Sequence, residues 1–286
     1  MAGPLHWCHL NGTRIPLTEA RISPFDRSFL FGDGVYEVLR VYDGKLFRAE
    51  AHLARLDRSA AVIRLKNPHD HATWLQLIGD LIAANGGGDQ YVYVQVSRGA
   101  EWGRNHAPLP DIPATVFAYC SPWPTVAESV LRDGLACITA QDTRWARCDV
   151  KSTALLANVL LKQLAVDAGA SETILLRDGE LMEGSASAVH IVKDGTLITP
   201  LNSQRILPST TRSVVEEIAD SLGIPHRDAH VSEAQLRGAD EIWLSAATRE
   251  IQPVTTLDGA PVGSGKPGPL WRRAYDAYQV LKRAPR

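Results

Sequence analysis

The chain is poor in sulfur, with four cysteines and two methionines among 286 residues. Cys8, Cys120, Cys137 and Cys148 are widely scattered, form no C-x-x-C pair and have no histidine at a zinc-finger interval. A disulfide framework and a cysteine-based metal site are therefore not predicted, and the thiols read as reduced, as in a cytoplasmic protein. An excess of one charge is missing too: 30 basic against 32 acidic residues leave a formal net charge of -2. Such a chain has no overall basic field with which to attract nucleic-acid phosphates or an anionic membrane. No apolar run approaches the ~20 residues of a membrane span, and the opening MAGPLHWCHLNGTRIP lacks a basic stretch leading into one. Internal repeats and low-complexity segments are also lacking. What is present is an ordinary globular composition, 45% hydrophobic and 22% charged, long enough for two modest domains.

Alternation and turn chemistry predict an α+β organisation. Trp7 to Leu10, Asn11-Gly12 and Thr13 to Pro16 read as a hairpin, because Asn-Gly supplies the positive-φ pair of a tight turn. A second hairpin follows from Val35 to Tyr42, turning at Asp43-Gly44 and returning over Lys45 to Phe47; Tyr36, Val38 and Arg40 share one face of its first strand. From Ala51 to Leu65 the residues Leu53, Leu56, Ala60 and Ile63 form a helical stripe, and His71 to Ala84 predicts a second helix ended by Gly86-Gly87-Gly88. Strands at Tyr91 to Ser97 and Thr115 to Tyr119 complete an N-terminal domain, residues 1–120. Ser121-Pro-Trp-Pro-Thr125 reads as a linker, residues 121–126, since two prolines in three positions resist helix and central strand. A larger C-terminal domain, residues 127–286, is expected to carry Lys151. It mixes strands (Ala136 to Ala140, Thr173 to Leu176, Ala188 to Val192, Glu241 to Leu244) with helices (Thr153 to Ala168, Thr211 to Leu222), with hairpin turns at Asp178-Gly179 and Asp194-Gly195.

Three short segments carry chemistry-bearing side chains, each with a plain reading beside it. Lys151 stands just ahead of an apolar helix: a solvated surface charge, or an amine which, withdrawn from water, attacks a carbonyl cofactor. Glu183, ahead of a Gly/Ser turn, is either a turn carboxylate or the partner of a protonated pyridine nitrogen. Ile206-Leu-Pro-Ser-Thr-Thr-Arg212 either caps a helix or offers free N–H groups and hydroxyls to a phosphate.

Order and spacing join these segments. The run from Arg21 through Phe31-Gly-Asp-Gly-Val-Tyr-Glu37, then His52-Leu-Ala-Arg-Leu56, Lys151, Glu183-Gly-Ser and Leu207-Pro-Ser-Thr-Thr-Arg212 resembles the fold-type IV pyridoxal-phosphate enzymes over nearly the whole chain. That resemblance implies a two-domain fold with pyridoxal 5'-phosphate between the domains. It makes Lys151 the Schiff-base lysine and the proton shuttle, Glu183 the pyridine-nitrogen carboxylate and Arg55 a phosphate-binding arginine. Leu207 would pack on the cofactor ring, and Thr210 and Thr211 would form the phosphate-binding helix start. Leu244 to Glu250 matches the loop closing over the phosphate; Ala246 and Ala247 replace hydroxyl-bearing residues there, leaving backbone amides as donors.

Within the family, the D-amino acid aminotransferases are the best match. Their carboxylate trap pairs a strand tyrosine with an Arg-x-His loop from the partner subunit; Tyr36, Arg104 and His106 stand at the corresponding places, so a homodimer is implied. The expected reaction exchanges amino groups between D-amino acids, of the D-alanine or D-glutamate type, and 2-oxo acids. Two features depart from the pattern: Glu101-Trp102-Gly103 is inserted before Arg104, and Arg40 stands where a D-specific enzyme carries lysine and a branched-chain enzyme arginine, which leaves the pocket ambiguous. Arg40 has three open roles, namely a D-glutamate side-chain carboxylate, the α-carboxylate, or a surface ion pair. Branched-chain and (R)-amine transaminases, and 4-amino-4-deoxychorismate lyase, use the same fold and are the alternatives. A binding protein in which Lys151 and Glu183 are surface charges is the non-enzymatic one.

Overall fold

The computed structural model describes residues 3–123 and 125–284. It divides into two compact units, Met1–Pro124 together with Val150–Leu155, and Thr125–Asp149 together with Leu156–Arg286. The segment bearing Lys151 thus belongs to the first unit, which corrects its expected place in the C-terminal domain. The reason is local: Val150 is buried in the first unit's core and Ser152 bridges to Val35.

In the first unit, β1 (Trp7–Leu10), β2 (Thr13–Pro16), α1 (Arg27–Phe31), β3 (Gly34–Tyr42), β4 (Lys45–Phe47), α2 (Ala49–Val62), α3 (His71–Ala84), β5 (Gln90–Ser97) and β6 (Thr115–Pro122) follow in order. The strands form, among the described residues, a six-stranded sheet of order β2-β1-β6-β5-β3-β4. Val35, Leu39 and Val41 of β3 and Val92, Val94 and Val96 of β5 pack against Leu53, Leu56 and Ala60 of α2 and Trp74 and Ile78 of α3. Period-two alternation leaves Tyr36, Val38 and Arg40 on the opposite face, beside their cross-strand neighbours Gln95, Tyr93 and Tyr91. Gly32 closes α1 at φ 67°, and a Cβ there would lie 2.9 Å from that of Ala154, so glycine is required on both counts. Ser121 and Pro122, expected in the linker, are the last residues of β6 and pair with Tyr91 and Gln90. A proline is tolerated at a strand end, where no further ladder donor is needed. Pro124, also in the expected linker, lies outside the described residues.

The second unit continues with α4 (Glu128–Asp133), β7 (Leu135–Gln141), α5 (Leu156–Asp167), β8 (Glu172–Arg177), β9 (Glu180–Gly184), β10 (Ala188–Lys193), β11 (Thr196–Pro200), α6 (Thr210–Ser221), β12 (His226–Ala229), α7 (Glu233–Arg237), β13 (Glu241–Ala246), β14 (Glu250–Leu257), β15 (Ala260–Pro261) and α8 (Pro269–Leu281). Its mixed sheet runs β12-β11-β10-β13-β14-β7-β8-β9, with β15 beside β14. The turns at Asp178-Gly179 and Asp194-Gly195 adopt positive φ throughout, as their hairpins require. Helix α5 starts at Leu156 rather than Thr153, because the Thr153 N–H and hydroxyl are bonded to the carbonyls of Gly34 and Gly32 in the first unit's own fold. Sequence patterning misses β14, whose Pro253 argues against a central strand. Pro253 is accommodated because pairing with β7 begins only at Val254. No helix among the described residues is long and apolar enough to cross a membrane.

Candidate active site

On the first unit, β3 sends alternate residues to two different tasks. Tyr36 faces the aromatic side of the sheet, stacked on Tyr93 with ring centroids 5.5 Å apart. Lys151 Nζ stands 4.3 Å from the centre of the Tyr36 ring. The backbone fixes this pair: the Tyr36 N–H donates to the Lys151 carbonyl at 3.0 Å, and the Lys151 N–H donates to Ser59 Oγ at 3.2 Å. Thr153 Oγ1, 2.9 Å from Ser28 Oγ, holds the next residues of the segment. A half-buried primary amine beside an aromatic phenol is thereby held by main-chain bonds independent of the amine itself.

The opposite face of β3 carries a residue that the sequence reading did not single out. Glu37 is fully buried and receives Arg55 Nε at 2.7 Å, Arg55 Nη2 at 2.8 Å and His52 Nδ1 at 2.7 Å. Burial alone would push its carboxyl upward, but the Arg55 guanidinium and His52 overcome this and hold it far below the usual carboxylate range. Burial shifts His52 the other way, below the ordinary histidine value, so the neutral ring donates its Nδ1–H to Glu37. Arg55 therefore reaches its position clamped by a bidentate carboxylate. The signal was legible, since a glutamate sits in the Val35-Leu39-Val41 row of core residues.

Arg104 and His106 lie on the exposed loop between β5 and β6, and both rest on the Phe31 ring, Arg104 Cζ at 5.2 Å and the His106 ring at 5.5 Å from its centre. Among the described residues, no hydrogen bond or ring contact joins either to Tyr36 of the same chain. Arg40 is 3% exposed, which excludes the surface ion pair left open for it. Its guanidinium lies 4.9 Å from the Tyr42 ring and 5.1 Å from that of Trp123, and among the described residues Nε and Nη1 have no hydrogen-bond partner.

On the second unit, Glu183 at the end of β9 is buried, which raises its carboxyl above the ordinary value against the opposing pull of Arg144. It accepts from the Arg144 guanidinium and, at 3.1 to 3.2 Å, from the Leu207 N–H. Arg144 is itself fixed by Asp142, with bonds of 2.9 Å from Nε and Nη2. Arg144 and Asp142 were not singled out from sequence, because only the fold brings them to Glu183. The Leu207 contact places this carboxylate three residues from Thr210, where α6 begins. Ser209 caps that helix through Arg212 N at 3.2 Å, and Thr211 is buried. First-turn N–H groups of a helix have no intrahelical acceptor and form a site for an anion. Ala246 ends β13 and Ala247 opens the turn to Glu250, closed by the Arg249 N–H on the Ala246 carbonyl at 3.0 Å. Behind it His190, wholly buried, contacts Thr199 Oγ1 at 2.7 Å and Ser245 Oγ at 2.9 Å; burial brings its pKa down to about 3.

An amine, a carboxylate buried beside a peptide N–H, and a helix start are the donor types that an aldehyde, a pyridine nitrogen and a phosphate ester would need. Comparison with known proteins agrees with this chemistry. The family model for amino-transferase class IV matches residues 34–257. The chain is 38% identical to the D-alanine aminotransferase of Bacillus licheniformis over 94% of each chain. Identity to that of Listeria monocytogenes is 40%, over 94% of this chain and 93% of the relative. Among solved structures, the Escherichia coli branched-chain amino acid aminotransferase is similar with a TM-score of 0.92 at 27% identity, covering 97% of this chain and 94% of that one. The Thermobaculum terrenum branched-chain amino acid aminotransferase, in its PLP form, gives 0.87 at 27%, covering 98% and 94%. With the match running from the first glycine of β3 to the last residue of β14, the chain belongs to the class IV aminotransferases.

Proposed function

We propose that the protein is a pyridoxal-phosphate-dependent aminotransferase acting on D-amino acids of the D-alanine or D-glutamate type and on 2-oxo acids. The observation that carries the reading is the Lys151 amine held over Tyr36, with a separate Arg104/His106 pair available for a carboxylate. Identity near 38–40% to proteins named D-alanine aminotransferase supports the D-hand.

The donor set fits the cofactor. Lys151 would hold its aldehyde carbon and Glu183 its ring nitrogen, Leu207 would pack on the ring, and Arg55, Thr210, Thr211 and the amides of Ala246 and Ala247 would hold its phosphate. When bound, pyridoxal phosphate supplies the electron sink that makes the substrate α-proton removable. Lys151 Nζ then moves that proton, as a general acid and base. Tyr36, Arg104 and His106 orient the substrate carboxylate and so select which face of the α-carbon the amine meets. A homodimer brings Arg104 and His106 to the neighbouring Tyr36; the exposed Leu156, Val159, Leu160 and Leu164 of α5 support association of two copies.

The test uses protein purified with pyridoxal phosphate and exposed to D-alanine or L-leucine in separate cuvettes. D-alanine alone is expected to bleach the visible band of the bound cofactor. Bleaching by L-leucine alone would move the protein to the branched-chain activity for which its structural neighbours are named.

Arg40 Nε and Nη1, without a partner among the described residues, favour an acidic group of the substrate as their acceptor. Arg40→Met is then expected to raise KM for D-glutamate roughly tenfold while leaving D-alanine nearly unchanged, a loss typical of one charged hydrogen bond. Equal effects on both substrates would remove Arg40 from the pocket.

A further inference from the structure

Arg27, the first residue of α1, is 3% exposed and turns its guanidinium toward the Arg104/His106 loop. Its Nη1 donates to the Asn105 carbonyl at 2.7 Å and its Nη2 to the His106 carbonyl at 2.9 Å. These are the two residues that directly follow Arg104. Nη1 also meets the Glu101 carboxylate, and Nε is anchored on Asp33 Oδ2 at 2.9 Å. Asp33 is held in turn by Arg98, whose Nε lies 2.8 Å from Oδ2 and Nη2 2.9 Å from Oδ1.

Glu101 belongs to the insertion before Arg104, and its other oxygen accepts from the Leu109 N–H at 2.9 Å. One carboxylate thus ties Arg27 to the far side of the loop. The near side is tied by the Arg27 N–H on the Gly99 carbonyl at 2.8 Å and by the bridge between Asp26 and Ala100. Gly99 has φ 101°, and a Cβ on it would stand 2.0 Å from the Pro113 carbonyl oxygen, so the loop ends approach too closely for a side chain. Phe31, one turn of α1 beyond Arg27, then takes three cations or rings on its faces: Arg27 at 4.8 Å, Arg104 at 5.2 Å and His106 at 5.5 Å.

The backbone of this loop is gripped while the Arg104 and His106 side chains remain exposed. Binding groups held in advance lose little freedom when a ligand arrives. We propose that Arg27, acting with Glu101, is a positioning residue that presents Arg104 and His106 as a preorganised clamp for the substrate α-carboxylate. The inference rests on the carboxylate role given above to those two side chains. Arginine is needed because its planar fork reaches two successive carbonyls and two carboxylates at once; the single ammonium of lysine does not span them.

The experiment compares steady-state kinetics of the holoenzyme with those of Arg27→Lys, Glu101→Gln, Arg104→Ala and the Arg27→Lys/Arg104→Ala double variant, with D-alanine as the donor. Arg27→Lys is expected to raise KM for D-alanine roughly tenfold or more, as misplaced positioning groups do, with kcat within about twofold of the parent. Glu101→Gln, which leaves the Arg27 to Asp33 bond in place, should shift KM in the same direction by less. In the double variant the two KM effects should not multiply, because Arg27 acts only through the clamp. If Arg104→Ala raises KM but Arg27→Lys and Glu101→Gln leave it unchanged, or if the effects multiply, the positioning role is overturned while the clamp stands. No KM change in Arg104→Ala itself would overturn the clamp reading and, with it, this inference. A fall in thermal midpoint with unchanged KM would make Arg27 merely structural.

Discussion

Lys151→Ala is expected to reduce transamination by at least about three orders of magnitude, within the ~10²–10⁴ range of a positioned acid/base group, and to leave the fold intact. The two main-chain bonds that hold this residue, from Tyr36 N to its carbonyl and from its N–H to Ser59 Oγ, survive truncation of the side chain. The lost contact is the one between the amine and the Tyr36 ring, and a half-buried cation over an aromatic ring stabilises by about 0.5–2 kcal/mol. Lys151→Arg separates charge from chemistry, since a guanidinium keeps the cation but does not act as an amine nucleophile or proton shuttle near neutral pH. Both variants should be inactive in a D-alanine and 2-oxo acid assay, with circular dichroism and thermal midpoint close to those of the parent. Activity above about one-tenth of the parent in either variant would take the lysine out of the reaction and leave the proposed function without its base.

Glu37→Gln should have the largest effect on stability. Removing one partner of a buried ion pair leaves an uncompensated charge and costs about 3–5 kcal/mol. Arg55 would be that charge, since two of its nitrogens rest on Glu37. For a chain of this size the thermal midpoint should fall by roughly 10 °C, taking about 2–4 °C per kcal/mol. If Arg55 also holds phosphate, pyridoxal phosphate should bind more weakly in the variant and partly restore its midpoint when added in excess. A midpoint within about 2 °C of the parent would show that Arg55 finds another acceptor.

The same residues set the response to acid. Glu37 has a folded-state pKa far below its unfolded value, so its contribution is present above about pH 4.3 and is lost progressively as pH falls below that. His52 and His190 are depressed by burial, the latter to about 3. The unfolded chain therefore binds protons at both histidines near pH 6.5 while the folded chain does not, and stability declines as pH drops from there. All three act in one direction. Half-exposed His71, raised by Glu50 and Asp57, and buried Glu183, raised by burial, run the other way; the partners of His71 face solvent and that pair is screened. Denaturant midpoints measured from pH 8 to pH 4 should fall, more steeply below about 4.5, and the steep part should be shallower in Glu37→Gln, where only the carboxylates of Asp33, Asp142 and their like remain to titrate.

Much of the fold is written in local pattern. The helix over His71 to Ala84 and the hairpins at Asn11-Gly12, Asp43-Gly44, Asp178-Gly179 and Asp194-Gly195 follow from stripes and turn residues that need no tertiary information. Where local preference competes with packing, patterning misplaces elements. Pro122 in β6 and Pro253 in β14 are accommodated by where their neighbouring strands end, and α5 begins late because Thr153 is engaged by Gly32 and Gly34.

For the site, the order of motifs along the chain pointed to the family and named Lys151, Glu183 and the α6 start as candidates, because the resemblance assigns those positions to one cofactor. What they did not contain is the set of residues that hold these groups still. Glu37 and His52 under Arg55, Arg144 and Asp142 beside Glu183, and Arg27 and Glu101 behind Arg104 and His106 come from positions up to 79 residues apart in sequence. A buried charge is stable only where the fold delivers its partner and excludes water, and sequence spacing does not encode that meeting when the partners lie on different elements. Tertiary structure alone decided them.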